Sequence, residues 1–272
     1  MLPETPRVPV DLAWAEELKV FLHAQLAEAP APNSIEGQVQ GVFLAGYCRD
    51  LALVRYAEGG PIDEVRALLR RSSEFHFEVF KLRGIDHTAP VADRAAQSDD
   101  RSLTNSRRGL QAMEVALACG ALDLARALAP WIWDAPDASY LGPGSVVCTP
   151  EEQHLAYALR DLLLDRFEEG LREIHALPAL PPEQEDRATI LTALLKADPP
   201  VFAWALGELH TFHLDQVGHP GTLDTLEDLL DIPTLAYAVL GRNRLPDLNP
   251  LPSDAFLPLE LPFPQLHEAL NR

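Results

Sequence analysis

The chain has 272 residues, 47% of them hydrophobic, so it is long enough for a buried core and is not intrinsically disordered. Asp and Glu number 41 against 22 Lys and Arg, which gives a formal net charge of −19. A surface this negative repels nucleic acid and anionic membranes and attracts basic proteins. After residue 110 there are 25 acidic and 9 basic residues, so the excess negative charge lies mainly in that part of the chain.

Apolar residues recur at helical spacing along almost the whole chain, and no alternating run is long enough for a strand. In chain order, the predicted helices cover about 11–28, 35–58, 61–83, 105–119, 122–130, 150–167, 168–177, 182–197, 199–212, 222–231 and 233–242. The clearest start signal is Thr149-Pro150-Glu151-Glu152, which predicts a capping box. Residues 85–103 are a polar loop, and the last 25 residues are rich in Pro and expected to be extended.

These elements predict an all-α fold, an irregular array of about ten helices packed as antiparallel helical hairpins. The array would be a bundle or a short solenoid, and residues 161–174 resemble the helical joint of tetratricopeptide-type repeats. We expect a single domain over 1–272. Residues 1–84 are a possible N-terminal subdomain, separated by the loop 85–103 from the region 104–262.

Motifs for catalysis or nucleotide binding are missing from the sequence. None of the three lysines follows a glycine, as a P-loop requires, and there is no G-x-S-x-G elbow. Cys48 and Cys119 are interpreted as buried small hydrophobes, and Cys148 as a weaker candidate for a reactive thiol before a helix. We therefore expect no catalytic residue, no cofactor and no enzymatic activity.

Two sets of residues contain candidate metal ligands. Glu151-x-x-His154 has the spacing found in di-iron bundles, but a second such pair is missing. His210, His213 and His219 cluster near Glu208 and Asp215 without the H-E-x-x-H pattern. Packing or surface roles are the preferred interpretation, and no metal site is predicted. A metal-dependent helical enzyme stays a third hypothesis.

The remaining charge clusters lie on predicted helix faces. Arg101 to Arg108 is the only basic cluster, and with Arg66, Arg70 and Arg71 it could form a basic face. Carboxylates at helical spacing predict two acidic faces, which are either ordinary solvated faces or docking surfaces for a basic protein. The first comprises Asp224, Glu227, Asp228 and Asp231, and the second comprises Asp161, Asp165, Glu168 and Glu169.

The N-terminus lacks a basic stretch followed by an apolar run, and no apolar stretch approaches 18 residues without a charge. The sequence is therefore expected to be cytoplasmic, with no membrane partner.

Three stretches carry a resemblance to a known family. Residues 105–125 resemble a helix pair with a Leu-Ala core, and 194–213 resemble a block of paired leucines, Asp, Phe, Leu and His. Residues 236–244 and 253–261 resemble a terminal helix and an ending of carboxylate, aromatic and Leu-Pro. In this order they resemble the immunity protein 49 family of bacterial polymorphic-toxin systems, over roughly 105–262.

The resemblance implies an all-helical cytosolic protein that binds and silences a cognate toxin, and it carries over no catalytic residues. A basic toxin such as a nuclease would fit the acidity, either with its active site plugged or with the inhibitor bound beside that site. The alternative is a helical-repeat scaffold that binds an endogenous partner. A toxin-domain gene beside this one would favour the first hypothesis.

Overall fold

The fold comes from a computed structural model, which describes residues 15–35, 37–83, 104–132, 148–178, 180–217, 226–246, 248, 251, 254 and 256–263. Ten α-helices occur in these ranges, and no strand does. They are α1 (Ala15–Ala27), α2 (Gln38–Ala57), α3 (Ile62–Arg83), α4 (Ser106–Ala118), α5 (Leu122–Leu128), α6 (Pro150–Leu163), α7 (Phe167–His175), α8 (Pro182–Lys196), α9 (Pro199–Val217) and α10 (Ile232–Arg244). The predicted all-α fold of about ten helices is confirmed.

Helix starts follow their capping residues. The Thr149 hydroxyl accepts a hydrogen bond from the Glu152 backbone N–H, and the Glu152 carboxylate accepts one from the Thr149 N–H, so the predicted capping box is present. The Asn105 side chain caps α4 by accepting from the Arg108 N–H. Asp231 caps α10 in the same way.

One predicted helix is shorter than expected, and the described part of another is a 3-10 turn. The helix predicted to reach about residue 167 ends at Leu163, because Asp165 adopts the left-handed conformation with φ 58° and closes the helix end. In the predicted helix 222–231, Leu226–Leu229 form a short 3-10 turn instead. Residues 218–225 and the predicted loop 85–103 lie outside the described residues.

Consecutive helices pack in pairs, with α2 on α3, α6 on α7 and α8 on α9. Gly41 permits the close approach of α2 and α3, because a Cβ there would lie 2.4 Å from Val79 Cγ2. A smaller apolar cluster lies among α1, α2 and α3, and the main core also takes side chains from α2 and α3, among them Tyr56 and Phe80.

Helix α4 is central to the main core, since ten of its thirteen residues are buried and it packs against α3, α5, α6 and α10. The segment 256–263 closes this core from outside the helices, with Leu257, Leu259 and Leu261 buried. The end of the chain is not extended throughout as predicted, because residues 259–262 form turns and pack against the core.

Arg66 of α3 fixes the segment 256–263 by donating to the backbone carbonyl oxygens of Glu260 and Leu261 at 2.9 and 2.7 Å. Gly120, with φ 78°, lies against the same segment, and a Cβ there would be 2.6 Å from the Pro262 carbonyl oxygen.

All three cysteines are free and buried. Burial raises the pKa of the Cys48 thiol to about 12 and that of Cys119 to about 11, so both are inert as nucleophiles near neutral pH. Their predicted role as small buried hydrophobes is confirmed. Within the described ranges, every helix is too short or too polar to cross a membrane.

Candidate functional site

The second predicted acidic face divides into a buried part and an exposed part. Asp161 is only 1% exposed, and its two carboxylate oxygens accept hydrogen bonds from Arg160 at 3.0 and 2.7 Å. Arg160 also donates to the Ile132 carbonyl oxygen and lies over the Tyr157 ring. Asp161 is therefore inaccessible to a partner, and its assignment to a solvated face is wrong.

The other three carboxylates of that face are exposed, with Asp165 at the turn between α6 and α7 and Glu168 and Glu169 in the first turn of α7. They are not on one continuous helix face, because α6 has ended before Asp165. Glu169 lies 3.2 Å from Arg172. Arg166 lies among these acids in the sequence. Its Nη1 is 4.0 Å from Oδ1 of the buried Asp161, so its charge is partly directed towards the protein interior. We call Asp165, Glu168 and Glu169 the acidic turn.

The first predicted acidic face cannot exist as proposed, because Asp231 is 2% exposed and caps α10. Its Oδ2 lies 2.9 Å from His210 Nδ1, while His210 Nε2 lies 2.7 Å from Asp254 Oδ2. Asp224 and the side chains of Glu227 and Asp228 lie outside the described residues.

His210 is thus clamped between two carboxylates, one from the start of α10 and one from the chain after it. Burial acts to lower the pKa of His210, but the hydrogen bonds to Asp231 and Asp254 and their negative charges outweigh burial and raise it. The His210 clamp, which we define as Asp231, His210 and Asp254, is a structural ion cluster. The preferred packing interpretation of His210 is confirmed.

Of the other histidines proposed as metal ligands, His219 lies outside the described residues, and His154 and His213 contact protein groups. His154 Nδ1 lies 2.8 Å from Glu173 Oε2 and so links α6 to α7. His213 stacks on His210 at 6.5 Å and contacts the Phe256 ring. Among the described residues, no group of three or more His, Cys, Asp or Glu could hold a metal ion.

The predicted basic face is divided among separate contacts. Arg66 binds the carbonyl groups of the segment 256–263, and Arg70 pairs with Glu74 at 3.1 Å. Arg71 lies over the Phe75 ring. Arg107 pairs with Glu152 at 3.3 Å, which joins α4 to α6. These arginines therefore contact separate partners and do not form one continuous cationic surface, and Arg101 lies outside the described residues.

Burial of Glu114 is a feature that the sequence did not indicate. This carboxylate lies in α4, is 3% exposed, and accepts from Arg187 of α8 at 3.2 Å and from the Tyr237 hydroxyl of α10 at 3.3 Å. Its position among Val115, Ala116 and Leu117 in an apolar helix was the available signal, since an acid within a buried stretch requires a partner.

Glu114 also borders a cavity of about 440 Å³ between α2, α4, α6, α8, α9 and the start of α10. Its walls combine apolar side chains such as Leu110, Leu155 and Phe212 with three arginines, three glutamines and His213. A concave site with an apolar wall and a few converging polar groups is the usual form of a small-molecule site.

Comparisons with protein-family models, with curated proteins and with solved structures find no match to this chain.

Proposed function

We propose that this protein is an immunity protein, which binds and neutralises a cognate bacterial toxin in the cytoplasm through the acidic turn. The observation that carries the proposal is the exposure of Asp165, Glu168 and Glu169 at a fixed joint between two helices. Arg160 is paired with the buried carboxylate of Asp161, and Arg166 lies 4.0 Å from the same carboxylate. Their positive charges are therefore directed partly towards Asp161 and not only towards the acidic turn. Arg172 pairs with Glu169, but Asp165 and Glu168 leave the acidic turn with a negative charge towards solvent, which suits a basic partner such as a nuclease.

Binding at this turn requires no catalytic group, cofactor or metal. A basic toxin would pair its own Arg and Lys side chains with the three carboxylates, and opposite charges would accelerate the encounter. Because the turn is short, it could either enter the toxin's active site or bind beside it, and both geometries remain part of the proposal.

The test is co-expression with the product of the adjacent gene, followed by growth measurement and co-purification. We expect the wild-type chain to restore growth and to form a complex. The triple variant Asp165→Lys, Glu168→Lys and Glu169→Lys should lower the affinity by at least about tenfold in a calorimetric titration and weaken its dependence on salt.

A control triple variant, Glu17→Lys, Glu28→Lys and Glu208→Lys, makes the same change in net charge at exposed acids elsewhere. It should keep most of the affinity if the acidic turn is the contact surface. Equal loss in both triple variants would show that only net charge matters. A complete lack of rescue and of complex formation by the wild-type chain would contradict the immunity function itself.

The alternative is a helical scaffold for an endogenous partner, and exposed aromatic side chains favour it. Phe43 of α2 is 56% exposed and Trp204 of α9 is 59% exposed. Large exposed aromatics are common in protein-binding surfaces. Loss of partner binding in Phe43→Ser or Trp204→Ser, with the acidic-turn variant unaffected, would favour the scaffold.

A further inference from the structure

Three aromatic rings form a connected surface on α1 and α2, which are different helices from those that carry the acidic turn. Phe21 of α1 meets the Tyr47 ring edge-on, with 5.6 Å between the ring centroids, and Phe43 of α2 stacks on Tyr47 at 6.3 Å. Val39 precedes Phe43 by one turn of α2 and so extends this surface along the helix. We call Phe21, Val39, Phe43 and Tyr47 the aromatic face.

The aromatic face is open to solvent. Phe21, Val39 and Phe43 are 47%, 55% and 56% exposed. Of the seven large apolar side chains that are exposed in the described part of the chain, these are three, and a fourth, Val20, is next to Phe21 in α1. Single exposed apolar residues are common on any protein, but a contiguous group with aromatic rings in contact is typical of a protein-binding surface.

The two stretches of helix that carry this face contain no charged residue. Residues 20–27 of α1 and 37–48 at the start of α2 include no Asp, Glu, Lys or Arg, although the chain has 41 acidic residues. Gln25 and Gln40, which are exposed, supply neutral polar groups in these stretches. A basic partner would find no carboxylate in either stretch, so the partner that suits the acidic turn does not suit the aromatic face.

The lack of charge in these stretches favours a second copy of this chain as the partner. In a dimer with twofold symmetry, each residue near the axis lies close to its own copy, so a charged residue there would meet the same charge. Aromatic rings and glutamine amides are self-complementary, because rings pack on rings and an amide both donates and accepts hydrogen bonds. Two copies with a net charge of −19 each repel, and an uncharged face allows the contact with the least repulsion.

We propose that this protein forms a twofold-symmetric dimer through the aromatic face. The α1 and α2 helices of one copy pack on the same helices of the other copy. Phe43 lies between Val39 and Tyr47 along α2, so it is placed near the symmetry axis and contacts its own copy. The acidic turn belongs to other helices, and the dimer therefore carries two acidic turns.

Sedimentation equilibrium of the full chain, from about 1 μM to about 0.5 mM, tests the dimer. We expect a monomer–dimer equilibrium that shifts towards the dimer as the salt concentration rises, because ions screen the repulsion between the two copies. Binding of a basic toxin to the acidic turn has the opposite dependence on salt, so the two interactions are distinguishable. A chain that stayed monomeric over the whole concentration range would overturn the proposal.

Charge substitutions locate the interface. Phe43→Glu should raise the dissociation constant of the dimer by at least about tenfold, because two carboxylates would meet across the axis. Phe43→Lys should do the same, and an equimolar mixture of the two variants should regain the dimer, because opposite charges then face each other. Val201→Glu, at an exposed apolar position of α9, makes the same kind of change elsewhere and should leave the dimer intact.

Val39→Glu provides a second variant on the aromatic face and should weaken the dimer in the same way. Neither Val39 nor Phe43 belongs to a buried apolar cluster, so each variant should keep the circular dichroism of the wild-type chain. A mixture of Phe43→Glu and Phe43→Lys that dimerised no better than either variant alone would overturn the twofold contact at Phe43. Wild-type dimerisation in both Phe43→Glu and Val39→Glu would overturn the assignment of the interface to this face.

Discussion

His210 Nε2 lies 2.7 Å from Asp254 Oδ2, and this contact joins α9 to the chain that follows α10. The other ring nitrogen lies 2.9 Å from Asp231 Oδ2. A neutral imidazole can donate through only one nitrogen, so two carboxylate acceptors require the doubly protonated form. The His210 clamp is therefore an imidazolium between two anions, and the free energy of unfolding depends on pH through it.

We expect the clamp to stabilise the fold fully between about pH 3.8 and pH 6.5, the ordinary pKa values of unperturbed Asp and His side chains. The pKa of His210 is raised in the fold, so its contribution is lost as the pH rises through that raised value. Burial opposes ionisation of Asp254, but hydrogen bonds from His210 and two backbone N–H groups lower its pKa. Its contribution is lost as the pH falls through that value. Urea unfolding measured inside this pH range, above it and below it shows both losses.

His210→Gln tests the clamp directly. At pH 6 we expect a loss of about 2–4 kcal/mol in the free energy of unfolding, because Asp231 and Asp254 lose their shared cation. The loss should shrink as the pH rises through the raised pKa of His210. His23→Gln, at an exposed position on α1, should change the free energy by less than about 0.5 kcal/mol. A His210→Gln loss that did not vary with pH would contradict the imidazolium.

Asp161→Asn should separate a structural carboxylate from an exposed one. The substitution leaves the buried Arg160 guanidinium without its anion, and we expect a loss of about 2–4 kcal/mol. Asp165→Asn should change stability by less than about 0.5 kcal/mol, because Asp165 is exposed and Asn tolerates its positive φ. Chemical denaturation of both variants measures the difference. Equal effects would contradict the assignment of Asp161 to the interior.

Gly120→Ala and Gly207→Ala should change stability in opposite directions. At Gly120 the positive φ and the Pro262 carbonyl oxygen, 2.6 Å from an added Cβ, predict a loss of about 2–3 kcal/mol. At Gly207, inside α9, an added Cβ meets nothing within 4 Å, so the higher helix propensity of Ala should add about 0.5–1 kcal/mol. Thermal unfolding of the two variants measures whether each substitution lowers or raises stability. A stable Gly120→Ala would show that the segment 256–263 does not pack on this turn.

Thr149→Ala should remove one half of the capping box and cost about 1 kcal/mol. Thr211 is a matched control, because its hydroxyl bonds to the Gly207 carbonyl oxygen within α9 and caps nothing. Thr211→Ala should change stability by less than about 0.5 kcal/mol. Urea midpoints of the two variants check the contrast.

Helix type and most helix limits could be predicted from local patterns, because capping, periodicity and proline act over a few residues. The α6 start at Thr149 is an example, since its whole signal lies within four positions. Helical periodicity predicts the end of α6 too late, because Asp165 adopts a left-handed conformation, which Asp takes less often than Gly. Periodicity alone would have continued the helix through it.

The candidate site could not be predicted from local sequence patterns, because the role of a carboxylate depends on partners that are distant in the sequence. Asp161 and Asp165 are both acids at helical spacing, yet the first is buried against Arg160 and the second is exposed. Asp231 is paired with His210, which is 21 positions earlier. Helical spacing identifies which residues share a face but not which face is covered by another helix.

The contact between Arg66 and the Leu261 carbonyl oxygen spans 195 positions of the chain. Bringing such distant groups together has a large entropic cost of loop closure. We therefore expect this contact to form late in folding, after the intervening helical pairs. Until then Leu257, Leu259 and Leu261 remain uncovered and their apolar surface can associate with other chains. The yield of correctly folded protein should therefore depend on how quickly this last contact forms, even if the mature fold is stable.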